Sequence, residues 1–119
     1  MDRLWIGLGA LTGLGAVGMA ALASHALTAL TPAQLRAVDA GVQIQGWHAL
    51  AMVACGIWAG QRGGIANIAG GAFALGTLLF CGAVYGSVLG GLHVGPAAPI
   101  GGTVLMLGWL LLGVSALRR

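Results

Sequence analysis

The sequence predicts an all-α integral membrane protein: a four-helix bundle with a short interfacial helix between helices 1 and 2. Three observations predict it. All seven charged residues, Asp2, Arg3, Arg36, Asp39, Arg62, Arg118 and Arg119, fall outside four apolar runs at 4–26, 45–60, 65–88 and 99–117. Each run approaches the ~20 residues that a helix rising 1.5 Å per residue needs to cross a ~30 Å hydrocarbon core. Apolar residues make up 59% of the chain and charged residues 6%, with mean hydropathy +0.98, whereas about a quarter of the residues of a soluble domain carry charge. Glycine supplies 23 of 119 residues, an excess that weakens helices in water but lets backbones approach in lipid, where close packing drives association. The length accommodates four spans and short connections, so residues 1–119 are expected to form one transmembrane domain.

The first run combines Arg3, an apolar stretch and Ala21-Leu22-Ala23, a pattern that imitates a signal peptide with a small-residue cleavage site. Gly9 and Gly13, continued by Ala16 and Ala20 at four-residue spacing, instead suit a packed helix, and the run is expected to stay attached. Next, Thr31-Pro32-Ala33-Gln34 reads as a helix start, with Thr31 as N-cap, Pro32 at the first helical position and Gln34 closing a capping box. The helix so begun, 32–43, sets Gln34, Arg36, Asp39 and Gln43 against Leu35, Val38 and Val42, which places it at the membrane surface, with an unbroken run into the second span as the alternative. Gln61-Arg62-Gly63-Gly64 is as short as an antiparallel helical hairpin allows, making spans two and three neighbours. Gly82 and Gly86 repeat the small-residue spacing on the third run and, with Gly9 and Gly13, are the expected packing faces, within the bundle or between copies. The glycine-rich connection before Pro99 leads to the fourth span, where proline fits the first turn.

Four crossings put Arg3, Arg62, Arg118 and Arg119 on one side with both termini and Arg36 on the other, so both termini are expected in the cytoplasm of a bacterial inner-membrane protein. Five scattered arginines form no continuous basic stripe, and nucleic acid is not an expected partner. Cys55 and Cys81 lie within different spans at depths about 16 Å apart at 1.5 Å per residue, too far for a disulfide.

Polar residues within the runs are few. Gly41, Gln45, His48, Met52, Cys55 and Ala59 recur at spacings of four and three, a small and polar seam that should face the bundle, because lipid offers an imidazole no partner. Trp47, Leu50, Ala54 and Ile57 form the opposite, lipid-facing stripe, while Trp5 and Trp58 are expected as interfacial anchors. The topology brings Ser24, His25, Gln45, His48, Tyr85 and Thr103 to the outer leaflet, and these form the candidate polar cluster or ligand site. Functionally such a cluster reads as a pocket for a quinone or a lipid head; structurally it reads as interhelical hydrogen bonding. With three histidines and no carboxylate at that depth, no metal site is expected, and no cofactor. No nucleophile with an adjacent base can be assembled, so no catalytic residue is assigned.

Ser24-His25-Ala26-Leu27, Gln45 with His48-Ala49-Leu50, Gly82-xx-Tyr85, and Pro99-Ile100-Gly101-Gly102 leading to Gly108-Trp109 resemble the "domain of unknown function 423" family across essentially the whole chain. The resemblance implies a four-helix membrane protein of a kind found in many bacteria, and brings no activity with it. The reading that fits every residue is a non-catalytic accessory, assembly or lipid-organising component, with membrane lipid, a membrane-protein complex or a second copy as partners. The alternatives are a small transporter, or a redox partner that binds quinone or lipid through the His/Tyr cluster. Proton-coupled export needs an embedded carboxylate, and the chain has no Glu and only Asp2 and Asp39.

Overall fold

The structure, a computed structural model, describes residues 2–25, 28–62, 64–93 and 95–117. It is all-α, with α1 (Asp2–His25), α2 (Pro32–Arg62), α3 (Ile65–Gly90) and α4 (Ala97–Leu117). Three of them, α1, α3 and α4, are long and apolar enough to cross a membrane.

The expected separate interfacial helix is absent among the described residues. The segment 32–43 forms the first turns of α2, which runs unbroken for 31 residues, about 46 Å at 1.5 Å per residue. The start signal was legible: Gln34 N–H donates to Thr31 Oγ1 at 3.1 Å and Thr31 N–H to Gln34 Oε1 at 2.9 Å, the reciprocal bonds of a capping box. Nothing stops the helix at residue 44. Gly41, the residue most able to break it, is buried beneath the Tyr85 ring, where a Cβ would meet Tyr85 Cε1 at 2.7 Å. Because these turns carry Gln34, Arg36, Asp39 and Gln43, α2 is less apolar than its neighbours.

Successive helices pack antiparallel, α1 on α2, α2 on α3 and α3 on α4. The parallel pairs meet through a few side chains. Trp5 Nε1 of α1 donates to Asn67 Oδ1 of α3 at 2.8 Å, and Trp58 Nε1 of α2 donates to Ser115 Oγ of α4 at 3.0 Å. The result is an elongated zigzag of 51 × 27 × 17 Å. Its core gathers Ala51, Met52 and Cys55 of α2, Ala69 and Phe73 of α3, and Leu105 of α4.

Glycine sets the helix spacing at particular crossings. A Cβ on Gly9 would stand 2.7 Å from Ala49 O, and one on Gly56 2.6 Å from Asp2 O, so α1 and α2 touch backbone to backbone. The α3–α4 crossing uses Gly76, Gly101 and Gly108, and a Cβ on the last would stand 2.8 Å from the Phe73 ring. Gly13 makes ordinary contact, with Ala49 Cβ at 3.7 Å from its added Cβ. Within the bundle the expectation for Gly82 and Gly86 needs correction: Gly82 faces open space, and Gly86 meets only Leu92 of the following turn. A four-residue spacing marks a face of a helix without saying which neighbour, if any, lies against it. Trp5 is a second correction, since it is 6% exposed and packs its indole over Gly70 in place of anchoring at an interface.

Short turns close the fold. Gly64, at φ +44°, precedes α3, and Gly91, at φ +67°, ends it with Leu92 N–H donating to Gly86 O at 3.1 Å. Both are left-handed conformations that glycine adopts without the Cβ penalty. Cys55 and Cys81 are buried free thiols on facing helices.

Candidate functional site

Two polar arrangements occupy the middle of the bundle, one helical turn apart on α2. The first centres on His48, which is 4% exposed. Its Nδ1–H donates to the Ile44 carbonyl at 2.6 Å, and its Nε2 accepts the Trp109 indole N–H at 2.9 Å. A carbonyl can only accept and an indole N–H can only donate, so the network assigns the neutral tautomer with its proton on Nδ1. The ring also packs against Phe73 and Trp109, with centroids 5.5 and 5.7 Å away, while Phe73 and Trp109 stand 5.0 Å apart nearly edge to face. One aromatic knot thereby joins α2, α3 and α4, and both ring nitrogens of His48 are occupied by protein.

The second arrangement centres on Gln45. Tyr85 OH of α3 donates to Gln45 Oε1 at 2.8 Å, and Gln45 Nε2 donates to the Thr12 carbonyl of α1 at 3.0 Å. That carbonyl has an extra acceptor role to fill, since its helix already uses one lone pair. Nearby, Cys81 Sγ donates to Gly41 O at 3.4 Å. The chain Tyr85–Gln45–Thr12 ties α3, α2 and α1 together. The neutral groups match donor to acceptor, and no hydroxyl or thiol in either arrangement faces a base.

The six candidate residues do not form one cluster. The structure brings Gln45, His48 and Tyr85 together and leaves Ser24, His25 and Thr103 out. His25 and Ser24 are exposed at the far end of α1. Gly15 abuts Gln45 and Gly9 abuts Ala49, so His25 lies opposite the start of α2, roughly 20 Å in depth from His48 at 1.5 Å per residue. Thr103 is exposed, and its Oγ1 donates to Pro99 O at 2.9 Å, a bond within its own helix. The common depth in the outer leaflet is therefore corrected to mid-bundle for Gln45 and His48. The physical reason is the length of α2: its first three turns raise the helix start well beyond residue 45, which moves both side chains inward.

Sequence reasoning missed two members. Trp109 closes the His48 bond, and nothing in its local sequence names that partner. Thr77, which lines the same space as Gln45 and Tyr85, was detectable, because Thr77, Cys81 and Tyr85 repeat every four residues on one face of α3. The seam of α2 lies as its periodicity indicated, with Gly41, His48, Met52 and Cys55 buried and Leu50 of the opposite stripe 71% exposed.

Apart from the one that begins at Ser24, the segments that carry the resemblance meet in this core. Gln45 bonds Tyr85, and His48 bonds Trp109. Gly101 fits against the Phe80 backbone and Gly108 against Phe73. The family model described as "Protein of unknown function (DUF423)" matches residues 19–102. The chain belongs to this family. Similar family proteins carry names that state a membrane location and no activity. A "UPF0382 membrane protein" of Staphylococcus aureus (strain bovine RF122 / ET3-1) is 31% identical, over 98% of this chain and 97% of its own. The UPF0382 membrane protein YwdK of Bacillus subtilis (strain 168) is 30% identical, over 98% of each. The UPF0382 inner membrane protein YgdD of Escherichia coli (strain K12) is 29% identical, over 98% of this chain and 92% of its own. No solved structure matches the chain at a significant level.

The Gln45–Tyr85 bond carries a direct test. Interhelical hydrogen bonds in membranes average about 0.6 kcal/mol and reach about 1.7. Tyr85→Phe keeps the ring over Gly41 and is expected to lower stability by about 1 kcal/mol. A double-mutant cycle with Gln45→Leu, read from unfolding in mixed micelles, should return a coupling near that average. A coupling of zero would show that the pair is geometrically close yet energetically idle.

Proposed function

We propose that the chain is a four-pass protein of the bacterial inner membrane, with both termini cytoplasmic, and that it acts as a non-catalytic accessory, assembly or lipid-organising component. The observation that carries the four-pass reading is the position of α2 between α1 and α3, two helices of spanning length and composition. A helix packed antiparallel to both along their length shares their solvent. Its polar groups agree with that placement, because Gln45 and His48 bond inside the bundle while Trp47 and Ile57, each 58% exposed, continue the apolar outer surface. The arginine distribution supports the orientation.

The non-catalytic reading rests on the same bonds. Every donor and acceptor of His48 is committed to protein, and the Tyr85 hydroxyl donates its hydrogen bond to Gln45 Oε1. Asp2 and Asp39 sit at exposed helix positions, which disfavours a carboxylate-driven transporter. Relatives named as membrane or inner membrane proteins support the location.

Topology is tested by thiol labelling in intact cells, after replacing Cys55 and Cys81 with alanine. A single cysteine introduced as Gln61→Cys should react only after the inner membrane is permeabilised, and one introduced as Thr28→Cys should react before. Equal reactivity of the two would overturn the four-pass arrangement. For the role, native mass spectrometry of the chain released gently from its own membrane should show a specific protein or lipid in fixed stoichiometry. A bare chain with neither would overturn the accessory and lipid-organising reading.

A further inference from the structure

Above the Trp5 bridge, α1 and α3 separate and leave a groove of about 460 Å³ with α2 as its floor, within the volume range of small-molecule sites. Leu8 of α1, Met52 of α2 and Leu78 of α3 line it, and Gln45 and Tyr85 stand at one end. Thr77 also lines it and is 6% exposed, yet its Oγ1 has no hydrogen-bond partner. The contrast with the other membrane threonines is informative. Thr12 and Thr103 donate to the carbonyl four residues back, at 2.7 and 2.9 Å, the usual resolution for a hydroxyl within a helix. Thr77 makes no such bond, and a buried hydroxyl left unpaired forfeits the hydrogen bond that water would have given it. A group that accepts its proton would restore that bond.

Three properties define what fits. No charged residue lines the groove, so an ion or a charged headgroup would be buried without a counter-charge. Thr77 occupies the middle of the 26-residue α3, a depth at which a lipid held by a phosphate at the interface does not present its ester carbonyls. Of the remaining lining, Thr12 and Cys81 already donate to backbone carbonyls, Leu8 O and Gly41 O, and the rest is apolar and opens sideways, toward acyl chains. We propose that this groove binds an uncharged, carbonyl-bearing lipid, with Thr77 turning about χ1 to bring its enclosed Oγ1–H to the carbonyl oxygen and the hydrocarbon lying along Leu8, Met52 and Leu78. The site rests on the reading that the four helices lie within a bilayer. An isoprenoid-type quinone and a diacylglycerol share the required chemistry.

The test uses the full chain in dodecyl maltoside, whose micelles contain no carbonyl, titrated with decyl-benzoquinone, dioctanoylglycerol or an alkane of matched chain length. Native mass spectrometry reads occupancy. One carbonyl lipid per chain should bind saturably, more than tenfold tighter than the alkane; the arm that binds identifies the source, and binding in both arms gives their ranking. Thr77→Val keeps the shape, removes the hydroxyl, and should weaken binding three- to tenfold, the equivalent of one hydrogen bond. Gly82 lines the groove, and a Cβ there meets nothing within 4 Å, so Gly82→Leu should fill the space and abolish binding while the unfolding transition stays in place. Saturation in neither arm, an alkane equal to the carbonyl lipids, or an affinity unchanged in Thr77→Val would overturn the site. Failure here, in a chain whose Gln61 and Thr28 positions label on opposite faces, removes the site and leaves the four-pass reading standing.

Discussion

Gly101→Ala is expected to destabilise the bundle by about 2–3 kcal/mol, the upper part of the range for overpacking a tight interior. The added methyl would stand 2.6 Å from the Phe80 backbone nitrogen and 2.9 Å from Gly76 O. Neither is the flexible end of a side chain, so relief requires α3 and α4 to move apart. That movement weakens dispersion contacts along the whole crossing, the force that holds helices together in lipid. Gly101→Val should cost more still. Gly113→Ala on the same helix is the control: its Cβ meets nothing within 4 Å, and removal of glycine's backbone entropy should stabilise the helix by about 0.5–1 kcal/mol. The measurement is unfolding in mixed micelles with increasing dodecyl sulfate. Two glycine variants with equal stability would refute the close crossing.

His48→Ala should cost about 3 kcal/mol, whereas His48→Phe should cost about 1 kcal/mol. The difference separates packing from hydrogen bonding at this residue. Alanine empties the space against Phe73 and Trp109, and truncation of large core side chains costs about 2–5 kcal/mol. Phenylalanine preserves the volume and the ring contacts, losing the bond to Trp109 and the bond to Ile44 O, each near 0.6 kcal/mol in a membrane interior. Fluorescence of a chain retaining only Trp109 among its tryptophans reports the same event locally. Its emission should shift in both variants, because both free the indole N–H. Equal costs for the two variants would mean that His48 contributes through its nitrogens and not through its ring.

Much of this fold was legible before any coordinates. The exclusion of all seven charges from four apolar runs gave the helices, since burying an unpaired charge in hydrocarbon is costly at any position along the run. The capping box at Thr31 gave the start of α2 to the residue, because its bonds span only three positions. The α2 seam of Gly41, His48, Met52 and Cys55 was legible for a similar reason, as a helix repeats every 3.6 residues regardless of its neighbours. Local rules reach this far because they depend on atoms within one or two turns.

The candidate site divided along the same line. Ser24, His25 and Thr103 joined Gln45, His48 and Tyr85 on the assumption that a short interfacial helix precedes the second span. The unbroken α2 shifted the register by several turns and dispersed the set. Which residue would bond His48 could not be read either, for Trp109 lies sixty-one positions away in sequence and is selected by the packing of α4 against Phe73. Gly9 and Gly82 have the same GxxxG spacing, yet one touches a neighbouring backbone and the other faces an open groove.

The order of charges, apolar runs and caps by itself determined that this chain forms long membrane helices, where α2 begins and which face of it turns inward, since each follows from solvation and from bonds within a turn or two. Tertiary structure alone decided which glycines touch, which partner each buried polar group found and that Thr77 found none. Those outcomes depend on distances between helices, and a sum over the whole interface sets those distances.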